Sequence, residues 1–356
     1  MLVCVLAFTG GARAGEVADL YQAEVPVRGQ TEAERGAALA KALEAVLVKV
    51  TGERSIASSP GVADALRQPM AYVQQYLYLP LPAPQAAAEA NAPPYTQLMR
   101  VRFDAQAISR LQQQTGLPMW GKERPTTLIW IAVDDAGERY LLSADDERGL
   151  REQIASDASR RGVPVLLPLL DLEDQSALLF SDVWGNFAEN VQRASVRYQV
   201  PGVAVGRLLH ERGGMWSVRW SLYHDGEIEQ WTLPASSPAA AITAGIDGIA
   251  DFLAAHYARA ESPEGGQYAD IAVAGVSGLA DYERTMGYLA HLDQIRALQV
   301  LAVEGDNVRF RARLGGDARG LARTIAFGKT LALNAASSDV AGSVGEIPQL
   351  SYRLLP

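Results

Sequence analysis

The stretch GLPMWGKERPTTLIWIAVDD, residues 116 to 135, decides how this chain is read. Residues 127 to 133 form a nearly continuous apolar run, the mark of a strand covered on both faces, and so predict a sheet with helices above and below it. Pro125 cannot donate to a ladder and marks the entry to that strand. Gly121 permits a sharp approach, and Trp130 lies inside the apolar run and belongs to the core. Trp120 and Arg124 have two readings. In one they form a rigid connector, with Trp120 packed across a domain junction and Arg124 meeting a carboxylate or carbonyl at the sheet edge. In the other they are binding residues, because interface hot spots are rich in Trp and Arg.

On the C-terminal side the pattern stays α/β. A helix is expected near 145 to 161, then an apolar segment, VPVLLPLLD, and a helical stretch from WGNF to RYQ. Strands follow near 201 to 210, 215 to 224 and 227 to 233. Asp225-Gly226 between alternating runs is a strong hairpin signal. A helix from Pro238 to about Ala260 closes a central domain, 118 to 260. ESPEGGQ, 261 to 267, reads as a linker. The remainder, 268 to 356, reads strand, helix, strand, strand, helix, strand: a ferredoxin-like βαββαβ plait with a loop at 334 to 346.

On the N-terminal side, residues 17 to 27 read as a strand. Thr31 and Glu34 resemble a capping box, and apolar residues then recur at helical spacing until Gly52. A second helix is expected over about 61 to 76, with Tyr72 and Tyr76 sharing a face. Residues 79 to 94, rich in Pro and Ala, read as an extended loop. An alternating strand at 96 to 104 and a short helix complete a first domain, 15 to 117. The expected fold class is therefore α/β and α+β, in three small domains.

The first fourteen residues differ from the rest. MLVCVLAF is apolar, and ARA before Gly15 fits the small-x-small pattern of signal peptide cleavage, although a basic start is missing. The stretch is too short for a transmembrane helix, and no other segment reads as one. Cys4, the only cysteine, falls within it. A periplasmic location without disulfides is the expectation.

Net charge is −9 over 356 residues, which argues against a nucleic-acid partner or an anionic membrane surface. The lysines are only Lys41, Lys49, Lys122 and Lys329, with no basic stripe. The four histidines are scattered, no paired-Cys or HExxH spacing occurs, and neither metal nor cofactor is expected. GLARTIAFGKT ends Gly-Lys-Thr but has Arg323 where a P-loop needs its first glycine. Carboxylates offer the one chemical candidate. Asp134 and Asp135 end the apolar strand, and Asp171 and Asp174 follow the next apolar segment. At the carboxyl ends of strands these could converge as an acid/base pair. Otherwise they cap helices and meet water.

Taken together, LYQAEVPVRGQTEAERGAALAKALEAVLVKVTG, GLPMWGKERPTTLIWIAV, RGVPVLLPLLDLED, DVWGNF and ASVRY resemble an uncharacterised family of exported gammaproteobacterial proteins, known only as a domain of unknown function. The resemblance spans about residues 17 to 260. It implies an envelope location and no particular activity. The leading expectation is a periplasmic accessory or scaffold protein whose partner is another envelope protein. The alternatives are a carboxylate-based hydrolase or transferase on an envelope polymer, and a small-ligand binding protein with a pocket between the first two domains.

Overall fold

The computed structural model describes residues 14–17, 19–85, 95–146, 148–260, 267–292, 294–315, 318–334 and 347–355. The expected signal peptide, apart from Ala14, and most of the expected linker lie outside the described residues, as do 86–94 and 335–346 of the two expected loops.

The chain begins with β1 (Ala14–Glu16) and β2 (Gln22–Val27). Helix α1 (Glu32–Thr51) starts at Thr31, whose side chain accepts the Glu34 N–H, and stops at Gly52 in the left-handed region. Helix α2 is short (Val62–Arg67) and gives way to a 3-10 turn, Pro69–Tyr72, and a long strand, β3 (Val73–Gln85). The expected helix over 61 to 76 therefore stops at Arg67, with only the 3-10 turn continuing to Tyr72. Tyr76 sits in a strand opposite Val101, and residues 79–85 are strand rather than loop. Strand β4 (Tyr95–Phe103) and helix α3 (Ala105–Thr115) follow. The sheet order is β2-β4-β3, so the prolines of β3 lie on an edge, where a missing N–H costs least. α1 lays Leu39, Leu43, Val46 and Leu47 on this sheet, all of them buried.

A connector carries β5 (Pro118–Met119) and β6 (Glu123–Pro125) and leads into the expected apolar strand, β7 (Thr127–Asp135). Then come β8 (Glu138–Leu141), α4 (Leu150–Arg161), β9 (Val165–Leu166), α5 (Leu172–Ala177), α6 (Phe180–Gly185) and α7 (Ala188–Ser195). β10 (Gly202–His210), β11 (Trp216–His224), β12 (Glu227–Ala235), α8 (Pro238–Tyr257) and β13 (Arg259–Ala260) complete this part. The sheet runs β12-β11-β10-β7-β8, with β9 also beside β7. Period-two alternation splits β7 between two cores. Ile129, Ile131 and Val133 pack with α4 and α8, whereas Leu128, Trp130 and Ala132 face α6 and α7. α8 is long and apolar enough to cross a membrane, which the sequence reading did not anticipate, yet here Ile242, Ile246, Ile249 and Leu253 are fully buried against the sheet.

The last part holds β14 (Tyr268–Ala274), α9 (Leu279–His291), β15 (Ile295–Glu304), β16 (Asn307–Leu314), α10 (Ala318–Phe327), β17 (Leu331–Leu333) and β18 (Gln349–Leu354). The βαββαβ order is present with one addition, β17. Because β17 pairs with β18 as a hairpin partner, β18 enters the sheet parallel to β14, in the order β15-β16-β14-β18-β17.

This sheet and its two helices enclose a core of their own, including Ile271, Phe310, Leu321 and Tyr352. Residues 268 to 356 expressed alone are expected to unfold in one cooperative denaturant transition. A broad transition with dye-binding apolar surface would show that the core is incomplete without the rest of the chain.

Candidate functional site

The connector is where the sequence's unusual residues meet. α3 ends at Gly116 in the left-handed region, and the chain turns so that the Trp120 N–H donates to the Val50 carbonyl at 2.7 Å. The indole is 1% exposed and packs with the α4/α8 core. Above it lies the Arg124 guanidinium, 3.9 Å from the ring centroid and itself 0% exposed. This guanidinium donates to carbonyls from three segments: Nε to Gly121 (2.8 Å), Nη1 to Gly162 (2.7 Å), and Nη2 to Lys49 (2.7 Å) and Trp120 (2.8 Å). Lys49 is in the last turn of α1, and Gly162 caps α4. Unsatisfied carbonyls at a helix C-terminus carry partial negative charge. One cation thus serves two helix ends, which suits a planar fork of five donors.

A second buried arginine repeats the arrangement. Arg161 is 0% exposed and donates to the Gly52 carbonyl (2.9 Å) and to Asp247 (2.9 Å) and Asp251 (2.7 Å) of α8. Arg54 reaches the same two aspartates from outside. Both caps must be glycine. A Cβ on Gly52 would lie 2.2 Å from the Ala254 Cβ, and one on Gly162 would lie 2.8 Å from Arg124 Nη1, with φ positive at each. The connector also meets the last part of the chain. Arg296 approaches Met119 Sδ at 3.9 Å, and the Tyr288 hydroxyl donates to Glu123 at 3.4 Å. Burial, and after it the Glu123 charge, pushes the Tyr288 phenol well above its ordinary pKa. Trp120 and Arg124, the candidate binding residues, are therefore enclosed in this junction and present no surface to a partner.

The four candidate carboxylates stand in three separate networks, Asp171 and Asp174 sharing one. Asp134 opens the β7–β8 hairpin, accepting the Gly137 N–H (3.0 Å) and Arg139 Nε (2.7 Å). Arg139 and that backbone donor hold its pKa below the usual carboxylate range, against the opposing effect of burial. Asp135 meets His210 Nδ1 at 2.6 Å, and that ring stacks on Trp216. Asp171 is the N-cap of α5 and binds Arg197 through both oxygens. Asp174, fully buried, accepts from the Leu170 N–H, Arg197 and the Tyr198 hydroxyl. Arg197 foremost, then the Asp174 N–H, drives the Asp171 pKa far down. Among the described residues no hydrogen bond or ion pair links one network to another. A general acid near neutrality needs a raised carboxyl pKa, and the shifts of Asp134 and Asp171 run in the opposite direction.

Sequence reasoning missed two features. Asp247 and Asp251, four apart in the otherwise apolar GIDGIADFL, were a readable signal for a buried cation on that helix face. His224, buried with its Nε2 2.6 Å from the Tyr257 hydroxyl, looked only like a turn residue. Burial lowers the His224 pKa, which favours the neutral imidazole. A cleft of about 620 Å³ lies where α1 and α8 meet, lined by Gly52, Arg54, Asp251 and Ala254 among others. Among the described residues, no cluster of three or more His, Cys, Asp or Glu is placed to hold a metal ion.

A family model described as a domain of unknown function (DUF8605) matches residues 14–121, from β1 to the connector. No curated protein matches the chain. Two solved structures are similar over part of it. One is a competence or damage-inducible protein from Enterobacter asburiae, with 12% identity and a TM-score of 0.20, covering 42% of this chain and 91% of its own. The other is an uncharacterised protein with 11% identity and a TM-score of 0.17, covering 37% and 88%. Likenesses at these TM-scores carry no argument about fold or function.

Trp120→Ala should lower the unfolding free energy by about 3–5 kcal/mol, the range for deleting a buried aromatic. Arg124→Ala should cost about as much, because several buried carbonyls lose their donor at once. Arg124→Lys should recover less than half, since one ammonium cannot span both helix ends. Urea unfolding that leaves all three variants at the parent midpoint would refute the junction's structural role.

A second expectation concerns acid. Asp171 has a folded pKa below its unfolded value of about 3.9, so its contribution is full above that value and fades as pH falls toward the folded pKa. Arg197→Met removes the main cause. The variant should lose less stability than the parent between about pH 5 and about pH 2. Parallel stability–pH curves for the two proteins would show that Arg197 does not set the Asp171 pKa.

Proposed function

We propose that this chain is an accessory protein of the bacterial envelope that acts through protein–protein contacts rather than by catalysis. One observation carries the reading: the carboxylates best placed for chemistry are committed to turns, caps and arginines, while a nine-residue edge strand, β12, is exposed along most of its length. Chemistry requires a poised group, and binding requires an accessible surface. The likeness of residues 17 to 260 to exported gammaproteobacterial proteins supports the envelope assignment, as does the small-x-small pattern before Gly15.

The carboxylate-enzyme alternative is weakened because the acids that do share a site, Asp171 with Asp174 and Asp247 with Asp251, are each bound by arginine. The small-ligand alternative has the 620 Å³ cleft, but the polar groups in its wall already pair with protein: Arg54 with Asp251 at 2.7 Å, Ser55 with Glu53 at 3.2 Å, and the Thr51 hydroxyl with the Leu47 carbonyl at 2.7 Å. Such a wall offers little to orient a small polar ligand.

The exported protein should be recovered from the periplasm beginning at Gly15. Cross-linking followed by affinity capture should yield a specific partner in fixed ratio. Retention of Met1 on cytoplasmic protein would refute the location, and capture no better than that of an unrelated exported control would refute the accessory role.

A further inference from the structure

The β12 edge has a regular structure that can be worked out residue by residue. Its register with β11 is unbroken from Glu227 opposite His224 to Ala235 opposite Trp216. The two-residue turn Asp225-Gly226, with φ of 49° and 78°, makes the flanking pair a hydrogen-bonded one. Glu227, Glu229, Trp231, Leu233 and Ala235 therefore bond to β11. Ile228, Gln230, Thr232 and Pro234 turn their backbone groups outward. Pro234 supports this independently, because a proline is tolerated in a ladder only where its missing N–H would face away from the neighbour. Among the described residues no strand pairs with this edge. Three N–H and three C=O groups, those of 228, 230 and 232, thus form an open ladder, and Pro234 ends it by lacking a donor.

Side chains follow the same alternation. Glu227 contacts His256 of α8 at 3.0 Å, and Trp231 lies against Gly248 of α8, where a Cβ would be 2.6 Å from the indole. The odd residues therefore face α8, and a cleft of about 520 Å³ opens there between Trp231 and Leu233 on one side and Ala240, Ala244 and Gly248 on the other. Along this face the strand reads acidic, acidic, aromatic, aliphatic. Natural edges of this length are normally shielded by charges, proline, a bulge or a covering element; here Pro234 closes one end and Glu227 and Glu229 repel an acidic strand, which leaves 228 to 232 open to a basic one.

We infer that β12 is a strand-addition site for an extended segment of a partner protein, carrying aliphatic side chains over Trp231 and Leu233 and a lysine or arginine opposite Glu229. Main-chain pairing supplies affinity, and the alternate side chains in the cleft supply specificity. Charge selects the occupant. Glu227 and Glu229 are both exposed on the cleft face, and the net charge of −9 favours approach of a basic segment. A second copy of the chain fits less well. Antiparallel self-pairing centred on Gln230 places one copy's Glu229 over the other's Trp231, partly desolvating a carboxylate where the nearby cation, Arg54, is already paired with Asp247 and Asp251.

The inference rests on the accessory-protein reading, and its test separates the two. The probes are two end-capped, fluorescein-labelled peptides in which threonine alternates with two lysines and two valines, one running lysine to valine and the other the reverse. Fluorescence anisotropy with the full chain should show saturable binding of one peptide, because β12 fixes the direction. Thr232→Pro removes one outward donor and no bond to β11, and should weaken binding by about tenfold, equivalent to about 1.4 kcal/mol. Glu229→Lys should weaken the lysine peptide and favour its glutamate counterpart, and it guards against a folding defect in the proline variant. Strand addition is overturned if neither peptide saturates, if Thr232→Pro and Glu229→Lys both bind like the parent, or if sedimentation shows a dimer that Thr232→Pro dissolves. If a captured envelope partner survives both substitutions, strand addition fails while the accessory role stands.

Discussion

The guanidinium of Arg124 is the constraint on which the rest depends. It is fully buried and donates to carbonyls at the ends of α1 and α4 and within its own connector. A buried cation without acceptors would cost several kcal/mol, so the two helix ends must converge on it for the fold to tolerate it. The geometry is self-consistent. Glycine caps expose the carbonyls, the fork reaches both, and Trp120 screens the other side of the cation with its ring face. Arg161 forms a parallel link from the Gly52 carbonyl to α8 through Asp247 and Asp251. The first two units are thereby joined by directional bonds rather than by area alone. Apolar packing tolerates sliding, whereas a forked donor with fixed acceptors fixes the angle between two helices.

Much of the fold was readable because the signals were local. Thr31 with Glu34, Gly52, the alternation in β4 and the Asp225-Gly226 turn each carry their physical reason within a few residues. The apolar run 127–133 was readable because both faces are covered, so no polar residue interrupts it. The misreading over 61–85 had a physical source as well. Tyr72 and Tyr76 sit at helical spacing, and Pro80, Pro82 and Pro84 read as punctuation. Position at the sheet's edge removes the penalty on those prolines, and edge position is a property of the assembled sheet.

The candidate site was less legible, for a related reason. That Asp134, Asp135, Asp171 and Asp174 stand at strand exits and a helix start could be read. Their partners could not: Arg139, His210 and Arg197 arrive through chain reversals and a parallel crossover. A carboxylate's chemistry is set by what faces it, and proximity in sequence says little about that. Trp120 and Arg124 show the same limit from the other side. The residue types that make interface hot spots are also those that lock domains together, and only burial distinguishes the two uses.

The junction and the exposed edge are physically connected. Arg54, which helps line the cleft beside β12, comes from the N-terminal unit just beyond α1, and it is held there by Asp247 and Asp251. Those aspartates are in turn fixed by Arg161, whose third partner is the Gly52 carbonyl. The part of the cleft's lining that Arg54 supplies therefore exists only while the first two units are docked. A change that loosens the Arg124–Arg161 linkage would shift Arg54 and reshape the surface next to Trp231 without touching β12 itself. In this chain the buried cations determine what the exposed strand presents.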